Sequence, residues 1–228
     1  MAKILLLTTS HDRMGDTDHS TGSWVEEVAA PYYILKDAGV AVTIASVAGG
    51  VVPFDPNSLK GDAVAGAPAQ RFLKDEAAQA EVKATPDLAS LNPNDFDGIF
   101  MPGGHGVVWD LPENEILASW LRRYDAQEKI IAAVCHGPAG LVGAVREDGL
   151  PLVSGRNVTG FTDAEEKAVG LDHVVPFLLE SKLRSLGGVF ESGGDFKPHA
   201  VRDGHLITGQ NPMSSELVGD MILAALKG

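Results

Sequence analysis

An α/β fold with a mostly parallel central sheet is predicted by three features of this 228-residue chain. Short apolar runs such as Lys3–Thr8, Gly98–Met101 and Ile130–Val134 read as strands buried on both faces. Segments with apolar residues at helical spacing lie between them. Gly98–Met101 and Ile130–Val134 also end at turns rich in glycine or proline, where the chain must change direction.

Lys3–Thr8 is the first strand and is expected at the centre of the sheet. Over 23–38, Trp24, Val28, Tyr32 and Leu35 recur at helical spacing, interrupted by Pro31 and closed by Gly39. Ala41–Val47 follows as the next strand and completes a β-α-β unit. Residues 49–90 are rich in glycine, proline and alanine and too long for a simple connection, so an insertion with short helices beside the site is expected. After the strand Gly98–Met101 come a helix over Glu113–Gln127, the strand Ile130–Val134 and a helix opening over Ala139–Val145. Further on, a small strand is expected over Asn157–Phe161, a helical turn from Thr162 to Glu166 and an amphipathic helix over Val174–Leu186. Short strands at Val189–Phe190, Ala200–Val201 and Leu206–Thr208 precede a last helix over Ser214–Leu226.

Bulk composition narrows the function. With 44% hydrophobic residues the chain can build one substantial core, and one domain over 1–228 is expected. A net charge of −13 repels polyanions, so neither nucleic acid nor an acidic membrane is an expected partner. The single cysteine cannot form an internal disulfide, the apolar run at the N-terminus is too short for a signal peptide, and no segment approaches the roughly 20 apolar residues of a membrane span. These features predict a reducing, cytoplasmic compartment.

Chemistry is concentrated where the strand Ile130–Val134 runs into Cys135-His136-Gly137-Pro138. A nucleophile between a buried strand and a helix is the nucleophile-elbow arrangement, with a thiol in place of a hydroxyl. At a helix N-terminus, unpaired N–H groups and the helix dipole would favour the thiolate. The competing reading is a small buried hydrophobe, but His136 and the Gly137-Pro138 turn continue a core poorly. Pro102-Gly103-Gly104-His105-Gly106 follows another strand. Its glycines lack dinucleotide spacing and no Lys-Ser/Thr follows, so exposed amides forming an oxyanion hole are the better use, with a tight structural turn as the alternative. His11, Asp16, Asp18 and His19 share a polar loop, but their spacing does not make a persuasive metal site, and a solvated loop is expected.

Taken together, Thr21-Gly22 with Glu27 and Pro31, Gly103-Gly104-His105-Gly106, Ala133-Val134-Cys135-His136-Gly137-Pro138, Thr159-Gly160-Phe161-Thr162-Asp163 with Glu166, and Thr208-Gly209-Gln210-Asn211-Pro212 resemble the ThiJ/PfpI superfamily. That superfamily has the class I glutamine amidotransferase-like fold, a flavodoxin-like three-layer α/β/α sandwich. The match is nearest to its branch of glutathione-independent glyoxalases (glyoxalase III) and heat-inducible chaperones. The resemblance implies Cys135 as nucleophile, His136 and Glu166 completing a Cys-His-Glu triad, Glu27 rather than Glu26 as the carboxylate at the sulfur, and the Gly104 and His136 amides as oxyanion hole. It implies no cofactor, no metal and a homodimer. Its implied substrate is a 2-oxoaldehyde such as methylglyoxal, converted to a 2-hydroxy acid such as D-lactate. A thiolate would form a hemithioacetal, Glu27 or His136 would move the proton, and water activated by His136 would release the acid. Alternatives of the same resemblance are a holdase for unfolded proteins, with Trp24, Trp109 and Phe177 as candidate apolar surface, a deglycase for glycated proteins, a peptidase or esterase, and a redox sensor at Cys135. The absence of a His-x-Glu pair near the C-terminus argues against glutamine hydrolysis.

Overall fold

A computed structural model describes residues 1–227; Gly228, the last residue of the expected 1–228 domain, lies outside the described residues. In chain order the elements are β1 (Lys3–Thr8), α1 (Val25–Asp37), β2 (Ala41–Ser46), α2 (Ala67–Lys74), α3 (Glu76–Lys83), β3 (Gly98–Met101), α4 (Val107–Asp110), α5 (Glu115–Ala126), β4 (Ile130–Val134), β5 (Asn157–Val158), α6 (Asp163–Ala168), α7 (Leu179–Ser185), β6 (Val189–Phe190), β7 (Ala200–Asp203), β8 (Leu206–Gly209) and α8 (Ser215–Ala225). The main sheet has the order β2-β1-β3-β4-β8-β7, parallel throughout except for the antiparallel edge pair β7 and β8. Helices flank this sheet in a three-layer α/β/α sandwich, with α1 packed on α8 and α5 packed on β4.

The uncharged strands occupy the middle of this sandwich as their composition requires. Every residue of β3 and β4 is buried, and so is all of β1 after Lys3. The aliphatic side chains of these strands merge with Tyr32, Phe72, Phe100 and Tyr124 in one apolar cluster. Burying Phe100 or another aromatic of this size contributes on the order of 3 kcal/mol.

Four expectations need correction. β1 is an interior strand but not the central one, since β3 and β4 fill the middle of the order. The segment 174–186 is helical only from Leu179, because Pro176 disfavours helical backbone at Val175 and cannot donate an amide itself. Only Asn157–Val158 of the expected strand 157–161 is paired, and it joins Val189–Phe190 in a separate two-stranded sheet. The chain after the cysteine forms a five-residue 3-10 helix, Gly137–Leu141, in place of an α-helix over 139–145. The insertion does carry short helices, and its Pro53–Asp55 stretch pairs with Ser23: the Ser23 amide donates to Pro53 O at 2.8 Å and the Asp55 amide to Ser23 O at 3.0 Å. It thereby braces the chain just before α1.

Candidate active site

Parallel pairing of β3 with β4 puts Met101 opposite Ala133, so the turns that follow the two strands emerge side by side. This is the carboxyl edge of the sheet, where open α/β folds bind their ligands. Cys135 stands one residue beyond β4 at φ 60, a left-handed conformation that a non-glycine residue adopts only when its surroundings impose it. Two backbone hydrogen bonds impose it here. The Cys135 amide donates to Gly209 O at 2.9 Å, and its carbonyl accepts from the Phe161 amide at 2.8 Å.

The imidazole of His136 turns back on the thiol. Its Nδ1 lies 3.3 Å from Cys135 Sγ and its Nε2 lies 2.7 Å from Glu166 Oε2. The second oxygen of Glu166 meets His105 Nε2 at 2.8 Å, and the two imidazole centroids are 4.1 Å apart. A carboxylate can only accept, so both Nε2 atoms carry hydrogen. His136 Nδ1 is then left with a lone pair facing the thiol, which is the posture of a base. Phe161 packs on the His136 ring at 4.5 Å.

Glu27 approaches from α1 on another side. Its Oε2 accepts from the Gly103 amide at 2.7 Å, while Oε1 is buried without a hydrogen-bond partner. The helix also separates the two neighbouring glutamates, since successive side chains differ by about 100° around the axis. Glu26 faces the insertion and accepts from the Ala69 amide at 3.0 Å. Gly103 is required at its place, because a Cβ there would lie 2.6 Å from His136 N and 2.9 Å from Glu27 Oε2. Gly104, at φ 92, turns its amide toward Cys135. Neither the Gly104 nor the His136 amide donates to a backbone carbonyl among the described residues. The Gly104 amide is instead directed at the Cys135 sulfur.

Electrostatics overturn one expectation. Cys135 is 3% exposed, and burial pushes its thiol up, reinforced by the neighbouring Glu27 carboxylate; the Gly104 amide only partly offsets this. The 3-10 turn after it is only five residues long and does not offset that burial. The resting sulfur is therefore a thiol. Burial likewise pushes the Glu27 carboxyl up to about 8, against the opposing pull of Cys135 and the Gly103 amide. Two acids this close share protons as a pair. Burial also lowers His136, aided by His105, so its imidazole rests neutral. Glu166 is the acid of this site held down: burial works to raise it, but His136 and His105 together keep it well below the ordinary carboxylate range.

All five expected site residues, Glu27, Gly104, Cys135, His136 and Glu166, are thus brought to one place. His105 joins them, although the glycine motif that contains it implies no role for its side chain. Its sequence signal is a histidine inside a glycine turn directly after a buried strand. The donor atoms of His105, His136 and Glu166 lie within 4.8 Å of one another, whereas His11, Asp16, Asp18 and His19 form no such cluster among the described residues. His11 instead stacks on Trp109, with centroids 5.1 Å apart.

Several known proteins share this architecture. The glutathione-independent glyoxalase HSP31 of Saccharomyces cerevisiae is 29% identical over 233 residues, covering 99% of this chain and 98% of its own length. A crystal structure of glyoxalase III from Candida albicans superposes with a TM-score of 0.91 at 28% identity, covering 98% of this chain and 97% of its own. The Rapid Encystment Protein of Francisella tularensis superposes with a TM-score of 0.95 at 35% identity over 99% of both chains. The family model of the DJ-1/PfpI family matches residues 22–225, nearly the whole length over which these side chains are distributed, and the chain belongs to that family.

Proposed function

We propose that this protein is a glutathione-independent glyoxalase, a lyase that converts methylglyoxal and related 2-oxoaldehydes to 2-hydroxy acids. The observation that carries the reading is the unbroken relay from Cys135 Sγ through His136 to Glu166, with the Glu27 carboxyl beside the same sulfur. Full-length likeness to proteins named as glyoxalases supports it.

Because the sulfur rests as a thiol, its ionisation accompanies attack. His136 Nδ1 takes the S–H proton as Sγ adds to the aldehyde carbon, Glu166 steadies the imidazolium that forms, and the proton then passes to the new alkoxide, which leaves His136 neutral. The Gly104 and His136 amides receive the oxygen that gains charge. The hemithioacetal then loses the proton on its carbon and regains one on the neighbouring ketone carbon, which gives a thioester of the hydroxy acid. Glu27 suits this shuttle, since a carboxyl near pH 8 both gives and takes a proton at neutral pH. Water activated by neutral His136 cleaves the thioester and returns the thiol, so the net change is addition of one water to the dicarbonyl. Family membership extends the reading to a cytoplasmic homodimer, for which sedimentation at twice the chain mass is the check.

The deciding experiment measures D-lactate formed from methylglyoxal without glutathione. Cys135→Ser is expected to abolish it, and Glu27→Gln to lower kcat by about 100-fold or more. Equal rates in wild type and both variants would reject the mechanism. A holdase or a deglycase that acts without the thiol would keep its activity in Cys135→Ser.

A further inference from the structure

The carboxylate of Glu165 is fully buried one residue before Glu166, yet it stands outside the relay between Cys135 and His105. Both its oxygens only accept. Oε2 takes the Thr162 amide at 3.0 Å and the Thr162 hydroxyl at 3.1 Å. Oε1 takes the Phe196 amide at 2.8 Å, Asn211 Nδ2 at 2.8 Å and Gln210 Nε2 at 3.1 Å. Capping α6 requires the Thr162 bonds alone. The three donors at Oε1 come from elsewhere: the loop between β6 and β7, and the turn after β8.

That loop has little else to hold it, since residues 191–198 are all exposed. The Gly193 amide donates to Gln210 Oε1 at 2.8 Å, and Asn211 Nδ2 also donates to Lys197 O at 2.8 Å. Phe196 is held at φ 53, and its ring meets Phe161 edge-on at 6.2 Å. Phe161 in turn backs the His136 ring. The hub therefore joins the backbone that carries Glu166 to the aromatic pair on which the imidazole leans.

We propose that Glu165 is a positioning residue, whose buried carboxylate ties the 191–198 loop and the Gln210-Asn211 turn to α6 and so keeps Glu166 and Phe161 in register with His136. Glu165→Gln preserves volume but converts one acceptor into an NH2 donor, which faces existing donors whichever way the amide turns.

Two readouts on the full-length protein test this. The first is the downfield proton NMR resonance of the His136 Nε2–H shared with Glu166. The second is kcat and KM for methylglyoxal per folded molecule, with the folded fraction read from circular dichroism, so that loss of folded protein does not masquerade as loss of turnover. The kinetic arm rests on the glyoxalase reading and the NMR arm does not. Wild type that shows the resonance without turnover would therefore reject that reading alone. Glu165→Gln is expected to broaden the resonance and to lower kcat about 10- to 100-fold with KM within about twofold. A folded variant with an unaltered resonance and kcat, changed only in melting temperature, overturns the proposal. A rise in KM at constant kcat overturns it as well, because the loop would then be a binding wall. Should Glu165→Gln fail to fold, Asn211→Ala removes one donor at Oε1 and the tether to Lys197. It is expected to broaden the same resonance and lower kcat about three- to tenfold; wild-type behaviour there overturns the proposal.

Discussion

Two imidazoles sharing one carboxylate set the protonation of the site. Because His105 opposes protonation of His136, its removal should raise the His136 pKa. The acidic limb of the kcat/KM profile of His105→Ala is then expected at higher pH than in wild type, since the base becomes neutral later in the titration. Leaving Glu166 with one partner should also cost about 1–3 kcal/mol of stability by urea unfolding. Glu27 governs a different window. Its folded pKa is raised to about 8, so between the ordinary carboxylate range and pH 8 the folded state holds a proton that the unfolded chain has released. Stability should fall as pH rises through that window, by at most about 1.4 kcal/mol per pH unit. Glu27→Gln has no such proton, and the slope should flatten. Glu166 works in the opposite sense: its lowered pKa contributes stability above the ordinary carboxylate range that is lost only in acid.

At the scale of elements, the turns after β3 and β4 carry candidate site residues because parallel pairing sets them next to each other. Both turns depend on backbone that side chains resist. At φ 92, a methyl group on Gly104 would also run into the Gly22 carbonyl. Gly104→Ala should therefore lower stability by about 1–3 kcal/mol and lower kcat more than it raises KM, as steady-state kinetics on the folded fraction would show. The element boundaries that sequence periodicity placed too generously fail for local reasons. Pro176 confines α7 to its second half, and Gly137-Pro138-Ala139-Gly140 favours a short tight helix over a regular one. That second difference shortens to five residues the helix expected to help ionise Cys135. Burial then decides the protonation state of the sulfur.

Across the whole molecule, a net charge of −13 surrounds a buried site whose proposed substrate is an uncharged dicarbonyl. Turnover of methylglyoxal should accordingly change by less than about twofold between about 0.05 M and about 1 M salt, whereas capture of a charged protein client should be salt-dependent. The sequence alone determined the alternation of buried strands and helices, because uncharged branched runs and helical periodicity are local properties of the chain. It also marked Cys135, His136 and the glycines of 103–106 as candidates, because each sits where a strand pattern stops. Glu27 and Glu166 stood out through the family motif and not through spacing, as two adjacent glutamates look alike until the helix is rotated into place. Only the tertiary structure decided that Glu26 faces the insertion, that His105 shares Glu166 with His136, and that Glu165 collects donors from three segments. It also decided that the thiol is held above its ordinary pKa. Each of these depends on groups distant in sequence meeting where water is excluded, and desolvation and long-range contact leave no local trace in a one-dimensional pattern.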